Sequence, residues 1–166
     1  LVAVYEAIME NARAVGGCQF GSYALNAMRI EKGYHGWGSD FGTEYTLFDA
    51  GLGRFANMTK GEFIGRSAVE QQSRQEADWE WVGLEILDDG PEPLASDPIL
   101  RDGDWIGYVT SASHGYRTGT HCVLAYVKRG TLQMGADCMV RVLGQTRKAR
   151  RQVPHVYDPD NLRMKA

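Results

Sequence analysis

The feature that most constrains this chain is a change of hydrophobic period near residue 78. Up to that point apolar residues recur every three or four positions, and beyond it they alternate. A three-to-four period suits helices with one buried stripe, and a period of two suits strands with one buried face. Leu1, Val4, Tyr5, Ile8, Ala12 and Val15 predict an amphipathic helix ended by Gly16-Gly17. A second, short and partly buried helix is predicted from Ser22, read as its N-cap, through Ala24, Leu25, Ala27, Met28 and Ile30 to a stop at Gly33. Thr59 and Glu62 have capping-box spacing before a helix through Phe63 to Gln71, which turns polar by Gln75-Glu76-Ala77-Asp78.

From Trp79 the segments Trp79–Leu87, Trp105–Val109 and Met139–Leu143 alternate, separated by turns at Asp88-Asp89-Gly90-Pro91, Asp102-Gly103 and Leu143-Gly144-Gln145. The expected class is therefore α+β: an amino-terminal helical segment, residues 1–77, followed by a small antiparallel β barrel or sandwich, residues 78–166. A hydrophobic content of 43% supports a real core. A net charge of -3 argues against a nucleic-acid or anionic-membrane surface. Small molecules or protein partners are expected instead. Cys18, Cys122 and Cys138 form no Cys-x-x-Cys pair and read as reduced thiols of a cytoplasmic protein, with no metal site. No apolar run approaches the roughly 20 residues of a membrane span, and the start at Leu1 suggests a piece of something longer.

Glu31 is the most informative position. Ala24, Ala27, Met28 and Glu31 share one helical stripe, so a carboxylate sits on an apolar face and in the last turn, where the helix dipole disfavours an anion. Two readings stand side by side: a salt bridge to Arg29, Lys32 or a base elsewhere, or an acceptor for paired N–H donors of a planar ligand. Tyr34 and Trp37, in the glycine-spaced loop Tyr34–Gly38, suit stacking on a flat ligand as well as core packing. His35, His114, His121 and His155 lack metal-ligand spacing, and His114 and His121 read as hairpin-loop residues. The basic run Arg147-Lys148-Ala149-Arg150-Arg151 reads as a solvated strand edge.

Four blocks in order, Met28–Tyr34 with Trp37-Gly38, Asp49-Ala50-Gly51-Leu52-Gly53, Glu62-Phe63-Ile64-Gly65-Arg66, and Gly107–Ser111 with Ala125-Tyr126-Val127, resemble the glycine-cleavage T-protein (aminomethyltransferase) family. The family includes the folate domains of dimethylglycine and sarcosine dehydrogenases and dimethylsulfoniopropionate demethylase. The tail Val156–Arg163 is most similar to the dehydrogenase type. The resemblance implies that Glu31 holds the pterin of tetrahydrofolate through its amino group and ring N–H, and that Lys60 and Arg151 lie near its glutamate tail; with folate as the ligand, the flat rings of Tyr34 and Trp37 are candidates to stack on its pterin or aminobenzoyl ring. It places the family's catalytic aspartate upstream of Leu1. By itself the chain is then expected to be inactive, and FAD is expected, if anywhere, in an absent amino-terminal domain. The implied activity is one-carbon transfer from an amine-derived donor to tetrahydrofolate in partnership with the missing half; the alternatives are a sulfur-linked methyl donor or a non-catalytic binding module.

Overall fold

The computed structural model describes residues 1–165. Its elements in chain order are α1 (Val2–Ala14), α2 (Ser22–Glu31), a 3-10 turn (Gly53–Phe55), α3 (Arg66–Ser73), β1 (Trp79–Ile86), β2 (Pro98–Arg101), β3 (Asp104–Gly115), β4 (Thr120–Lys128), β5 (Asp137–Val142) and β6 (Gln145–Gln152). All strand pairings are antiparallel and close into a barrel in the order β1-β4-β3-β2-β5-β6. The period change therefore marks a real change of architecture, from helices to barrel.

The alternating strands turn one face inward. Cys138, Val140 and Val142 of β5 are buried while their neighbours are exposed, and they meet Val82, Leu84, Ile99, Val109, Val123, Ala125 and Val127 in the barrel core. Two tight hairpins sit at the expected turns. Asp102-Gly103 and Leu143-Gly144 all take positive φ, as a two-residue hairpin loop matching strand twist requires. Strand β4 differs, being buried without a break from Cys122 to Val127. Its outward residues Cys122 and Leu124 lie under Ile30 of α2, which together with Trp81 and Val156 forms a second apolar cluster outside the barrel.

Several local expectations are revised. The second helix begins at Ser22 itself, with Gly21 as N-cap. Helix α3 begins at Arg66 rather than near Thr59, because Gly65 takes φ 89 and breaks helical geometry, while Asn57 accepts the Thr59 N–H at 2.9 Å. Helix α1 has the predicted span, yet none of its residues is buried. The basic run forms β6, which pairs with both β1 and β5, so there is no edge to protect. Arg147 in that run is buried and ion-paired to Asp88 at 2.7 Å. His114 and His121 are strand residues facing each other across β3 and β4, with ring centroids 4.8 Å apart; the loop itself is residues 116–119.

Two polar clamps tie the helical part to the barrel. Asp40, buried, pairs with Arg29 and accepts the Thr110 hydroxyl at 2.6 Å, and Arg29 donates to the Ser111 hydroxyl at 2.7 Å. Asp49 accepts the N–H of Trp79 through its side chain and that of Trp81 through its carbonyl, both at 3.1 Å. Burial alone would raise the Asp49 pKa. Hydrogen bonds from the Thr46 hydroxyl and from the Trp79 and Thr46 N–H groups override it, and the net shift is downward. A carboxylate with a depressed folded pKa contributes stability above its unfolded pKa of about 4, and that contribution is lost as pH falls through the folded value. Asp49→Asn is thus expected to cost about 1–2 kcal/mol at neutral pH, a difference that narrows below about pH 4 in thermal melts.

Candidate functional site

Glu31 ends α2, and Ile30 anchors that last turn on the outside of β4. The carboxylate is buried at 2% exposure, but neither neighbouring base takes it. Arg29 is committed to Asp40, and Lys32 to Asp158 at 3.2 Å. Its partners come from the β3–β4 hairpin instead. Oε1 accepts the N–H of Arg117 at 2.9 Å, the N–H of Thr118 at 3.0 Å and the Thr118 hydroxyl at 3.1 Å. Gly115 makes this approach feasible, since a Cβ there would lie 2.7 Å from Oε1.

The carbonyl of Glu31, left without a helical partner at the C-terminus, accepts the Tyr157 N–H at 3.0 Å. This bond and the Lys32–Asp158 pair seat the carboxy-terminal segment across the end of α2. Gly33 permits the crossing. It takes φ 66, and a Cβ on it would meet the Pro154 carbonyl oxygen at 2.7 Å. Between segment, helix and hairpin lies a cavity of about 420 Å³, lined by Met28, Glu31, Lys32, Arg117, Tyr157, Asp158, Arg163 and Met164. With Oε1 filled by three donors, Oε2 is the oxygen that has no hydrogen bond from the described residues. A ligand meeting Glu31 in this geometry therefore finds one free oxygen, not the two that a parallel pair of N–H bonds needs.

The other predicted residues are dispersed. Tyr34 is half-exposed, donates its hydroxyl to Met164 Sδ at 3.3 Å, and lines a neighbouring cavity of about 480 Å³ with His35, Phe41, Arg54, Trp81 and His155. Burial, followed by the charges of Arg54 and Lys32, lowers the pKa of His155. Trp37 is 70% exposed, edge-on to Phe41. Lys60 is exposed, its Nζ 4.6 Å above the Phe63 ring. Arg151 is ion-paired to Glu80 and donates to the Leu132 carbonyl. Trp37, Lys60 and Arg151 do not line the Glu31 cavity. Arg117, Thr118, Asp158 and Arg163, which do surround Glu31 or its cavity, escaped sequence reasoning. The available signal was Gly115 and Gly119 bracketing Thr118, glycine-flanked donors of the kind that cradle an anion. Among the described residues no cluster of three or more His, Cys, Asp or Glu could hold a metal, and no helix is long and apolar enough to cross a membrane.

Residues 1–60 match the family model "GCVT N-terminal domain", and residues 80–158 match "Glycine cleavage T-protein C-terminal barrel domain". The chain belongs to the glycine cleavage T-protein family. Human mitochondrial dimethylglycine dehydrogenase is 32% identical over 145 residues, covering 87% of this chain and 17% of that protein. The aminomethyltransferase of Moorella thermoacetica is 34% identical over 143 residues, covering 86% of this chain and 39% of the enzyme. The chain thus spans well under half the length of either relative. In structure it is similar to the glycine cleavage system aminomethyltransferase T of Bartonella henselae, with a TM-score of 0.73 over 82% of this chain and 38% of that one. At 21% identity that likeness speaks for the fold.

Proposed function

We propose that this T-protein family chain is the tetrahydrofolate-binding part of an aminomethyltransferase-type protein, which transfers a one-carbon unit from an amine-derived donor to tetrahydrofolate. The observation that carries the reading is a buried carboxylate held at one oxygen by the hairpin and left with its other oxygen free beside a cavity of about 420 Å³. A rigid, partly satisfied acceptor in a pocket of this size orients a small ligand rather than stabilising the fold.

The lining suits such a ligand. Glu31 Oε2 would accept an N–H from the pterin, Met28 and Tyr157 offer apolar surface, and the cationic side chains of Arg117 and Arg163 would face the carboxylates of a glutamate tail. Tetrahydrofolate brings the reacting nitrogen, so the protein's own contribution is positioning and a fixed electrostatic field. Titration calorimetry of tetrahydrofolate into the full-length natural protein that contains this chain tests the proposal. Saturable one-to-one binding is expected. A folded protein that takes up no tetrahydrofolate would overturn it and favour a non-catalytic module.

A further inference from the structure

Thr118, Thr120 and Cys122 are spaced two residues apart and follow one another away from Glu31. Thr118 Oγ1 lies 3.1 Å from Glu31 Oε1, Thr120 Oγ1 lies 3.0 Å from Thr118 Oγ1, and Cys122 Sγ lies 3.4 Å from Thr120 Oγ1. An ionised carboxylate only accepts, so the direction of the whole row is set at its Glu31 end. Thr118 donates to Glu31, which leaves its own oxygen to accept from Thr120, whose oxygen in turn accepts from the Cys122 thiol.

Two other acceptors compete, the Gly115 carbonyl for Thr118 at 3.4 Å and the Thr120 carbonyl for Cys122 at 3.8 Å, and each is longer than the contact it competes with, 3.1 Å to Glu31 and 3.4 Å to the Thr120 hydroxyl. The far end stays protonated. Burial raises the Cys122 pKa; hydrogen bonds with Thr120 and Thr118 oppose this, and the nearby charges of Glu31 and Glu85 add to it, for a net upward shift. Aligned donors polarise one another, and each link strengthens the next.

We propose that this row of donors from the barrel strand β4 and its hairpin positions the Glu31 carboxylate, so that the barrel sets the orientation of the oxygen offered to ligand. Thr118, Thr120 and Cys122 are then positioning residues that touch no ligand themselves. The inference rests on the reading of Glu31 as a ligand contact. It also makes Thr118 a place where affinity can be changed through a side chain that the cavity does not include.

The test uses the full-length natural protein and tetrahydrofolate as probe, with dissociation constant and melting temperature measured on each variant. Thr118→Val keeps the backbone N–H bond to Glu31 and removes the hydroxyl, and about a tenfold loss of affinity is expected. Thr118→Ser restores the hydroxyl and should bring affinity back to within about twofold of the natural protein, a rescue that a purely packing role would not produce. Thr120→Val breaks the row one link further out and should cost about threefold, which keeps the question answerable if Thr118→Val does not fold. In a Glu31→Gln background, Thr118→Val should weaken binding no further. Affinity unchanged in both valine variants, alongside a Glu31→Gln protein that has lost binding, would overturn the positioning role while sparing the Glu31 assignment. Unchanged affinity in Glu31→Gln itself would overturn the assignment on which the inference stands.

Discussion

Gly107→Ala is expected to lower stability by about 4 kcal/mol or more, the largest loss of any single methyl added to this barrel. A Cβ at Gly107 would lie 2.0 Å from the Tyr126 carbonyl oxygen and 2.8 Å from the Val127 Cα, both backbone atoms of the adjoining strand β4. Neither can swing aside as the tip of a long side chain could. Gly107 also pairs with Val127 on one side and Ile99 on the other, next to the irregularity between Ile99 and Leu100, so strand β3 is held from both sides. Relief would require β3 and β4 to separate at this end of their ladder, drawing Val109 and Val127 out of the barrel core. For a domain of this size the loss corresponds to a drop of about 8–16 °C in melting temperature, or to little folded protein at all. Gly61→Ala is the control. Nothing lies within 4 Å of a Cβ there, and its melting temperature should stay within about 2 °C of the natural protein.

How far the fold could be read in advance depended on whether a local pattern was also the packing pattern. Strand β5 was legible because it turns one face to the core, β1 and β3 because their sequences alternate although each is also partly buried on its second face, and the hairpins at Asp102-Gly103 and Leu143-Gly144 because positive φ leaves a mark in residue choice. The periodicity of β4 was not legible, since Cys122 to Val127 are buried on both faces and show no alternation; only its Ala125-Tyr126-Val127 block stood out, through family likeness. The basic run at Arg147 misled for a related reason. Charges on a strand signal an edge when the sheet is open, but barrel closure buries Arg147 against Asp88, a partner 59 residues away.

The site divides along the same line. That Glu31 breaks a local rule was visible from helix spacing and dipole alone, and the structure shows it buried as that conflict implied. Its partners were not visible. Arg117 and Thr118 lie 86 and 87 residues further along the chain and act largely through backbone N–H groups, which no residue-type pattern encodes. Lys32 and Arg29, the obvious local partners, are drawn off by Asp158 and Asp40, acids brought in by the tail and the aromatic loop.

The central claim is that Glu31 serves a ligand through one oxygen while the hairpin holds the other, and Glu31→Gln separates those two roles. The glutamine carbonyl can keep the three hairpin donors, because the opposite rotamer would set an NH₂ group against two backbone N–H groups. The NH₂ then stands where Oε2 stood and turns a donor toward the ligand's donor. Loss of the charged hydrogen bond, together with the repulsion that replaces it, should cost about 2–3 kcal/mol of binding, a factor of roughly 30 to 150 in affinity. The hairpin keeps its acceptor, so stability should fall by only about 1 kcal/mol. The deciding measurement is the tetrahydrofolate dissociation constant of the full-length Glu31→Gln protein, taken beside its melting temperature. A folded variant with affinity reduced by that factor is the predicted result, and a variant that binds tetrahydrofolate as tightly as the natural protein would contradict the account.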